Sequence, residues 1–211
     1  MRTTGRIGAT VAAALAIAAA GAIGAAPAGA ALGLACPTPA SQVFAPWGDR
    51  AAYAFAPDGG LEGGGAGWTL TGGAGVVAGN ETYAVHSQAD RMSLSLPAGS
   101  SATTPPLCIG LLSSKMRFFA ANGGAASSRL RVEALYGGGL GAIVGGAGML
   151  LGISDAGSVE AGASWGLSQP VAMLGGTLPL LTQWVRFRFT PADAAGSWRI
   201  DDVYVDPMMH G

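Results

Sequence analysis

Two adjacent carboxylates, Asp201 and Asp202, interrupt the alternating stretch SWRIDDVYVDP at residues 197–207. Strict alternation places Trp198, Ile200, Asp202 and Tyr204 on one face, which is otherwise apolar, and leaves Asp201 facing solvent. A carboxylate on a buried face requires a partner, so Asp202 is the one expected to fasten this strand to another part of the chain. Carboxylates in pairs also serve glycoside hydrolysis, and Glu62, Glu81, Glu133 and Glu160 are the other candidates. Nothing in their spacing sets two of them across a cleft.

Other chemistries find fewer residues. The only histidines are His86 and His210, the second one place from the C-terminus, and no cluster has the spacing of a zinc site. Gly162-Ala163-Ser164-Trp165-Gly166 matches the Gly-x-Ser-x-Gly elbow, with Asp193 and His210 following in hydrolase order. An elbow must open a helix, however, and Gly166 and Pro170 break one, so Ser164 reads as a strand or turn residue. Residues 73–78, GAGVVA, fit a loose dinucleotide pattern without a following helix and read as turn plus strand. No Gly-Lys-Ser/Thr phosphate loop occurs. His86 reads as a surface residue, no catalytic set is assigned, and a hydrolase is the remote alternative.

The elements that must carry these residues are strands. The chain has 211 residues with 36 Gly, 12 Pro and 11% charged residues, a composition that opposes a helical domain because each helical Gly costs about 1 kcal/mol. Arg2 and Arg6, the apolar run 7–26 and Ala28-Gly29-Ala30 form a signal peptide over residues 1–30. The expected product is secreted, extracellular or attached to the cell surface. Without Arg2 and Arg6, nine basic residues face twelve acidic ones, a net charge of about −3, which favours neither nucleic acid nor anionic membrane. Export makes Cys36 and Cys108 a disulfide, stabilising by roughly 4 kcal/mol in the chain-entropy model. The rival reading, a lipidated Cys36, lacks the usual leucine three places upstream, where Gly33 stands, and would strand Cys108.

Residues 31–55 read as an extended leader and 56–207 as one domain. Strand-like runs occupy 68–71, 75–78, 82–86, 92–96, 101–111, 115–121, 129–136, 159–167 and 184–189, with Asp155-Ala156-Gly157 as a turn. Their spacing of about ten residues predicts an all-β, antiparallel β-sandwich. Residues 135–153 carry no charge and have glycines spaced four apart, but their glycine density and the flanking charges oppose a membrane helix. The stretch Gly137–Gly152 is instead a hairpin or loop. The strand at 184–189 sets Val185, Phe187 and Phe189 inward and Trp184, Arg186 and Arg188 outward, and if it pairs with 197–207 the chain ends in a hairpin with an aromatic-rich apolar face. An exposed tryptophan beside arginines is a candidate surface for stacking a sugar ring and binding its hydroxyls.

The Gly60-Leu61-Glu62-Gly63 turn, Trp68 and the closing Trp-Arg-Ile-Asp-Asp-Val-Tyr-Val resemble the opening and closing motifs of jelly-roll, galactose-binding-like carbohydrate-binding modules. The chain also resembles small secreted actinobacterial proteins of unassigned function. The resemblance spans about residues 56–206 and implies a jelly-roll sandwich that binds glycan without catalysis. It also implies a structural calcium held by Glu62 with Asp201 or Asp202, although Leu61 and Gly60 stand where those modules carry an aromatic and an Asn or Asp. The alternative is a structural or adhesive envelope protein that binds protein partners.

Overall fold

The computed structural model describes residues 39–109, 115–136, 152–172 and 183–206. The signal segment, Cys36, His210 and residues 137–151 of the glycine-rich stretch lie outside them. No helix among the described residues is long and apolar enough to cross a membrane.

Two antiparallel sheets face each other. The seven-stranded sheet contains β1 (Ala54–Phe55), β3 (Gly75–Ala78), β4 (Met92–Pro97), β7 (Lys115–Asn122), β10 (Gly166–Leu167), β11 (Val171–Ala172) and β13 (Ser197–Asp206). Its main path runs β10-β7-β13-β4-β3. The six-stranded sheet contains β2 (Thr69–Thr71), β5 (Ser101–Thr103), β6 (Leu107–Ile109), β8 (Leu130–Tyr136), β9 (Gly152–Val159) and β12 (Gln183–Pro191), on the path β2-β5-β12-β8-β9. This is the jelly-roll type of sandwich that the closing and opening motifs implied. Pro105 and Pro106, which lack amide donors, separate β5 from β6 where one longer strand was expected.

The inner faces meet in one apolar core. Leu94, Leu96, Phe118, Leu130, Val132, Val185, Phe187, Phe189, Trp198 and Ile200 are all fully buried there. Each such large side chain contributes roughly 1.5–3 kcal/mol of transfer free energy. Phe118 and Phe189 meet edge to face across the sheets, with ring centroids 5.2 Å apart.

Four expectations are corrected. The strands at 184–189 and 197–207 do not form a hairpin: β12 pairs with β5, β6 and β8, whereas β13 pairs with β4, β7 and β1. Each has one apolar face, and the two faces oppose each other across the core rather than lying side by side. Asp155-Ala156-Gly157 is not a turn but part of β9. Its turn chemistry serves a bulge, with Gly157 at φ +120° donating its N–H to Asp155 Oδ1 and the register against β8 shifting alongside. Residues 82–86 form no strand, since Ala84 at φ +52° turns the chain. Of residues 159–167, only Val159 ends β9 and Gly166–Leu167 pair with β7.

A second, smaller core lies on the outer face of the seven-stranded sheet. The leader folds over this face through a 3₁₀ turn at Ala45–Trp47, and Phe44 and Tyr53 bury against Phe119 and Tyr204. Arg117, itself buried, clamps the arrangement: it donates to Asp49 Oδ2 at 2.9 Å and to the Ser168 carbonyl.

Candidate functional site

The closing strand changes parity halfway along. Trp198 and Ile200 point into the main core, and so do Val203 and Val205, because a bulge between Asp201 and Tyr204 shifts the register against β7 by one residue. Asp202 adopts φ +48° at this bulge, a conformation a non-glycine residue rarely takes. Both aspartates and Tyr204 therefore belong to the outer side, which corrects the expectation that Asp202 and Tyr204 share the inner face with Trp198. The location follows from the sheet edges. β7 runs along one edge of β13, while β4 covers Ser197–Ile200 and β1 covers Tyr204–Val205 on the other, so the bulge falls in the gap between β4 and β1.

Residues 79–91, the connection from β3 to β4, close over that gap. Asp201 Oδ2 accepts the Glu81 N–H at 2.9 Å and its Oδ1 accepts the Asp202 N–H at 2.8 Å. Asp202 Oδ2 accepts the His86 N–H at 3.0 Å. Glu81 turns its own carboxylate on the Tyr83 and Val85 amides. Asp90 Oδ2 lies 2.7 Å from His86 Nδ1, and the His86 ring stacks on Phe55 at 4.0 Å and 7°. Glu81, Asp90, Asp201 and Asp202 are all buried. Burial pushes the Asp201 carboxyl up to about 8, with the charge of Asp202 adding to it, and pushes Asp202 up to about 6.

Asp202 Oδ1 is buried without a hydrogen-bond partner. Gly60 permits this close approach: a Cβ there would stand 3.1 Å from Asp202 Oδ1 and 3.5 Å from Asp90 Oδ2. A ring nitrogen of His86 and carboxylate oxygens of Asp90 and Asp202 lie within 4.8 Å of one another. Of the residues implied for calcium, Asp202 has this unpartnered oxygen, both oxygens of Asp201 accept backbone N–H groups, and Glu62 Oε1 accepts those of Arg91 and Met92. The aspartates are thus tied by hydrogen bonds to the 79–91 connection rather than to Glu62. Sequence reading missed Asp90, took Glu81 only as one of several scattered carboxylates and set His86 at a strand end, because the 79–91 connection has no period to reveal its path. The one available signal was the concentration of acids and a histidine between two short strands.

Exposed aromatic side chains lie on both outer faces of the sandwich. On the outer side of the seven-stranded sheet, Trp47 and Tyr83 are 37% and 47% exposed and meet edge to face at 5.4 Å, with Tyr83 stacked over Phe119. On the outer face of the six-stranded sheet, Trp184 is 47% exposed and Arg186 is exposed as well. Beside them Arg188 Nε donates to Glu133 Oε2 at 2.8 Å, and Arg131 reaches Glu133 and Asp155 at 3.4 and 3.7 Å. β8 is thus the neighbour that brings Arg131 to this face, while Arg117 is buried on the other sheet.

Ser164 and Asp193 are exposed in irregular segments, and Asp193 caps the Ala195 amide. Cys108 stands on β6 opposite Trp184 of β12, with Cys36 outside the described residues.

No family model matches the sequence, and no curated protein does. Solved structures similar to this chain include a family 61 carbohydrate-binding module in complex with β-1,4-galactotriose, at 15% identity and a TM-score of 0.45 over 73% of this chain and 98% of that one. The CBM22-1 xylan-binding domain of a Paenibacillus barcinonensis protein is similar at 14% identity and a TM-score of 0.44, covering 69% of this chain and 88% of that one. A further family 22 xylan-binding domain matches at 17% identity and a TM-score of 0.44, covering 73% of this chain and all of that one, 100%. Identities and scores this low transfer no ligand and no residue role.

Proposed function

We propose that this chain is a secreted, non-catalytic β-sandwich module that binds carbohydrate at the cell surface or in the medium, through the outer face of the six-stranded sheet. The observation that carries the reading is Trp184, a half-exposed indole mounted on β12, a strand hydrogen-bonded on both sides. A rigid aromatic loses little entropy when a pyranose ring stacks on it. Arg186, exposed on the same strand, supplies donors for hydroxyls or an acidic substituent, and the Arg188–Glu133–Arg131 ladder supplies polar groups along the same face. The expected Cys36–Cys108 disulfide would tie the leader to β6 beside this surface.

Affinity electrophoresis in gels containing cell-wall polysaccharides tests the reading. Trp184→Ala should weaken retention at least tenfold, about 1.4 kcal/mol. Retention by the parent protein that is unchanged in this variant would refute the site. A second reading, adhesion to protein partners, rests on the Trp47–Tyr83 pair, an exposed apolar corner on the opposite sheet. It predicts that Trp47→Ala, and not Trp184→Ala, abolishes capture by envelope preparations.

A further inference from the structure

We propose that His86, Asp90 and Asp202 form a binding site for a divalent transition metal of the zinc class. Four buried acids converge on the bulge of β13, and the His86 ring lies against them from the exposed side. Carboxyl groups held this far from water need hydrogen bonds or a cation for every oxygen. The vacant valence is specific: Asp202 Oδ1 is buried, lacks a partner and is directed at the space that Gly60 leaves beside Asp90 Oδ2.

The donor count selects the class of ion. Calcium takes six to eight oxygens. Here the oxygens of Asp201, the second oxygen of Asp202, the carboxylate of Glu81 and Oε1 of Glu62 already accept backbone N–H groups. Outside these backbone hydrogen bonds stand the His86 imidazole and the Asp90 carboxylate, which meet each other at 2.7 Å, and Asp202 Oδ1; a ring nitrogen of His86 and one oxygen from each aspartate lie within 4.8 Å of one another. Three such ligands, with His86 on the exposed side, suit a four-coordinate ion that takes water as its fourth ligand. The ligands are also oriented in advance: Phe55 stacks on the His86 ring, and the His86 N–H holds the other oxygen of Asp202. Because His86 and Asp90 belong to residues 79–91 and Asp202 to β13, the metal would pin the connection to the sheet.

The full-length chain, stripped with chelator, is titrated separately with zinc and calcium while thermal unfolding is followed, and with cobalt(II) while visible absorption is followed. Zinc should raise Tm by several degrees, and cobalt should give the intense bands of four-coordinate nitrogen and oxygen ligation. His86→Gln loses the stack on Phe55 and so should lower the metal-free Tm by a few degrees, but measured against its own metal-free Tm it should lose both responses. Absence of a zinc shift in the parent protein would overturn the proposal. So would a zinc shift that persists in His86→Gln, or a calcium shift indifferent to that substitution, which would mark an oxygen-only site. Glycan retention is read independently, so neither outcome bears on the Trp184 surface.

Discussion

The two outer faces of the sandwich are built on opposite principles. That of the seven-stranded sheet is covered by the leader and by residues 79–91, under which lie Phe44, Tyr53, Phe119, Tyr204 and the buried acids. That of the six-stranded sheet is open among the described residues and carries a ladder of paired charges beside Trp184. On the covered face, stability and site architecture are one problem, because the groups that hold the loop are the groups that form the cluster. On the open face they separate, and residues there are free to change binding without unfolding the protein.

The sharpest way to break this contrast is Phe44→Ala. Phe44 is fully buried, meets Tyr53 at 4.9 Å and Tyr204 at 5.3 Å, and lies under the Arg117 guanidinium. Its removal should cost about 3–5 kcal/mol in urea unfolding, with amide protection lost first in the leader. A loss under about 1 kcal/mol would show that the leader is an accessory rather than part of the fold.

The next effect is electrostatic. Without metal, burial pushes the carboxyls of Asp201 and Asp202 up to about 8 and about 6, above the ordinary aspartate range. The stability they permit is therefore complete below about pH 4 and is lost as pH rises through 6 and then 8. The metal-free protein should be more stable at pH 5 than at pH 9. Asp202→Asn keeps an acceptor for the His86 amide and removes the charge, so it should stabilise the metal-free protein by about 1 kcal/mol at pH 8 and flatten the profile. A profile that rises toward pH 9 would contradict the reading of this cluster.

The sandwich was legible wherever burial imposes period two: Val185, Phe187 and Phe189 in β12, Leu130, Val132 and Ala134 in β8, and Leu94 and Leu96 in β4 all face the core as alternation requires. What alternation omits is which sheet a strand joins, and so the final hairpin was misread. It also cannot register a bulge. The pair Asp201-Asp202 looks like one inward and one outward residue until the extra residue turns both outward, because identical neighbours conceal the slip. The cluster itself was half visible: Asp202 was singled out because its charge needed a partner, but His86 and Asp90 come from a loop whose path is set by hydrogen bonds to β13. Asp49 and Arg117, 68 residues apart, were equally hidden, since a contact of that range leaves no local pattern.

The smallest effects belong to the open face, where the ladder predicts graded losses. Glu133 is buried to a side-chain exposure of 8% and takes Arg188 at 2.8 Å and Arg131 at 3.4 Å. Arg188→Ala removes the shorter contact but leaves Arg131 to hold the carboxylate, so the loss should be about 1 kcal/mol, smaller than for a buried charge left wholly unpaired. Arg131→Ala removes a longer contact from a half-exposed side chain and should cost about 0.5 kcal/mol or less, disappearing at 1 M salt. Additivity supplies the decisive measurement: the double variant strips both cations from one buried carboxylate and should lose more than the two single losses together. Strict additivity would mean that Glu133 is already solvated, and the open face would then be a set of independent surface residues rather than a connected polar platform around Trp184.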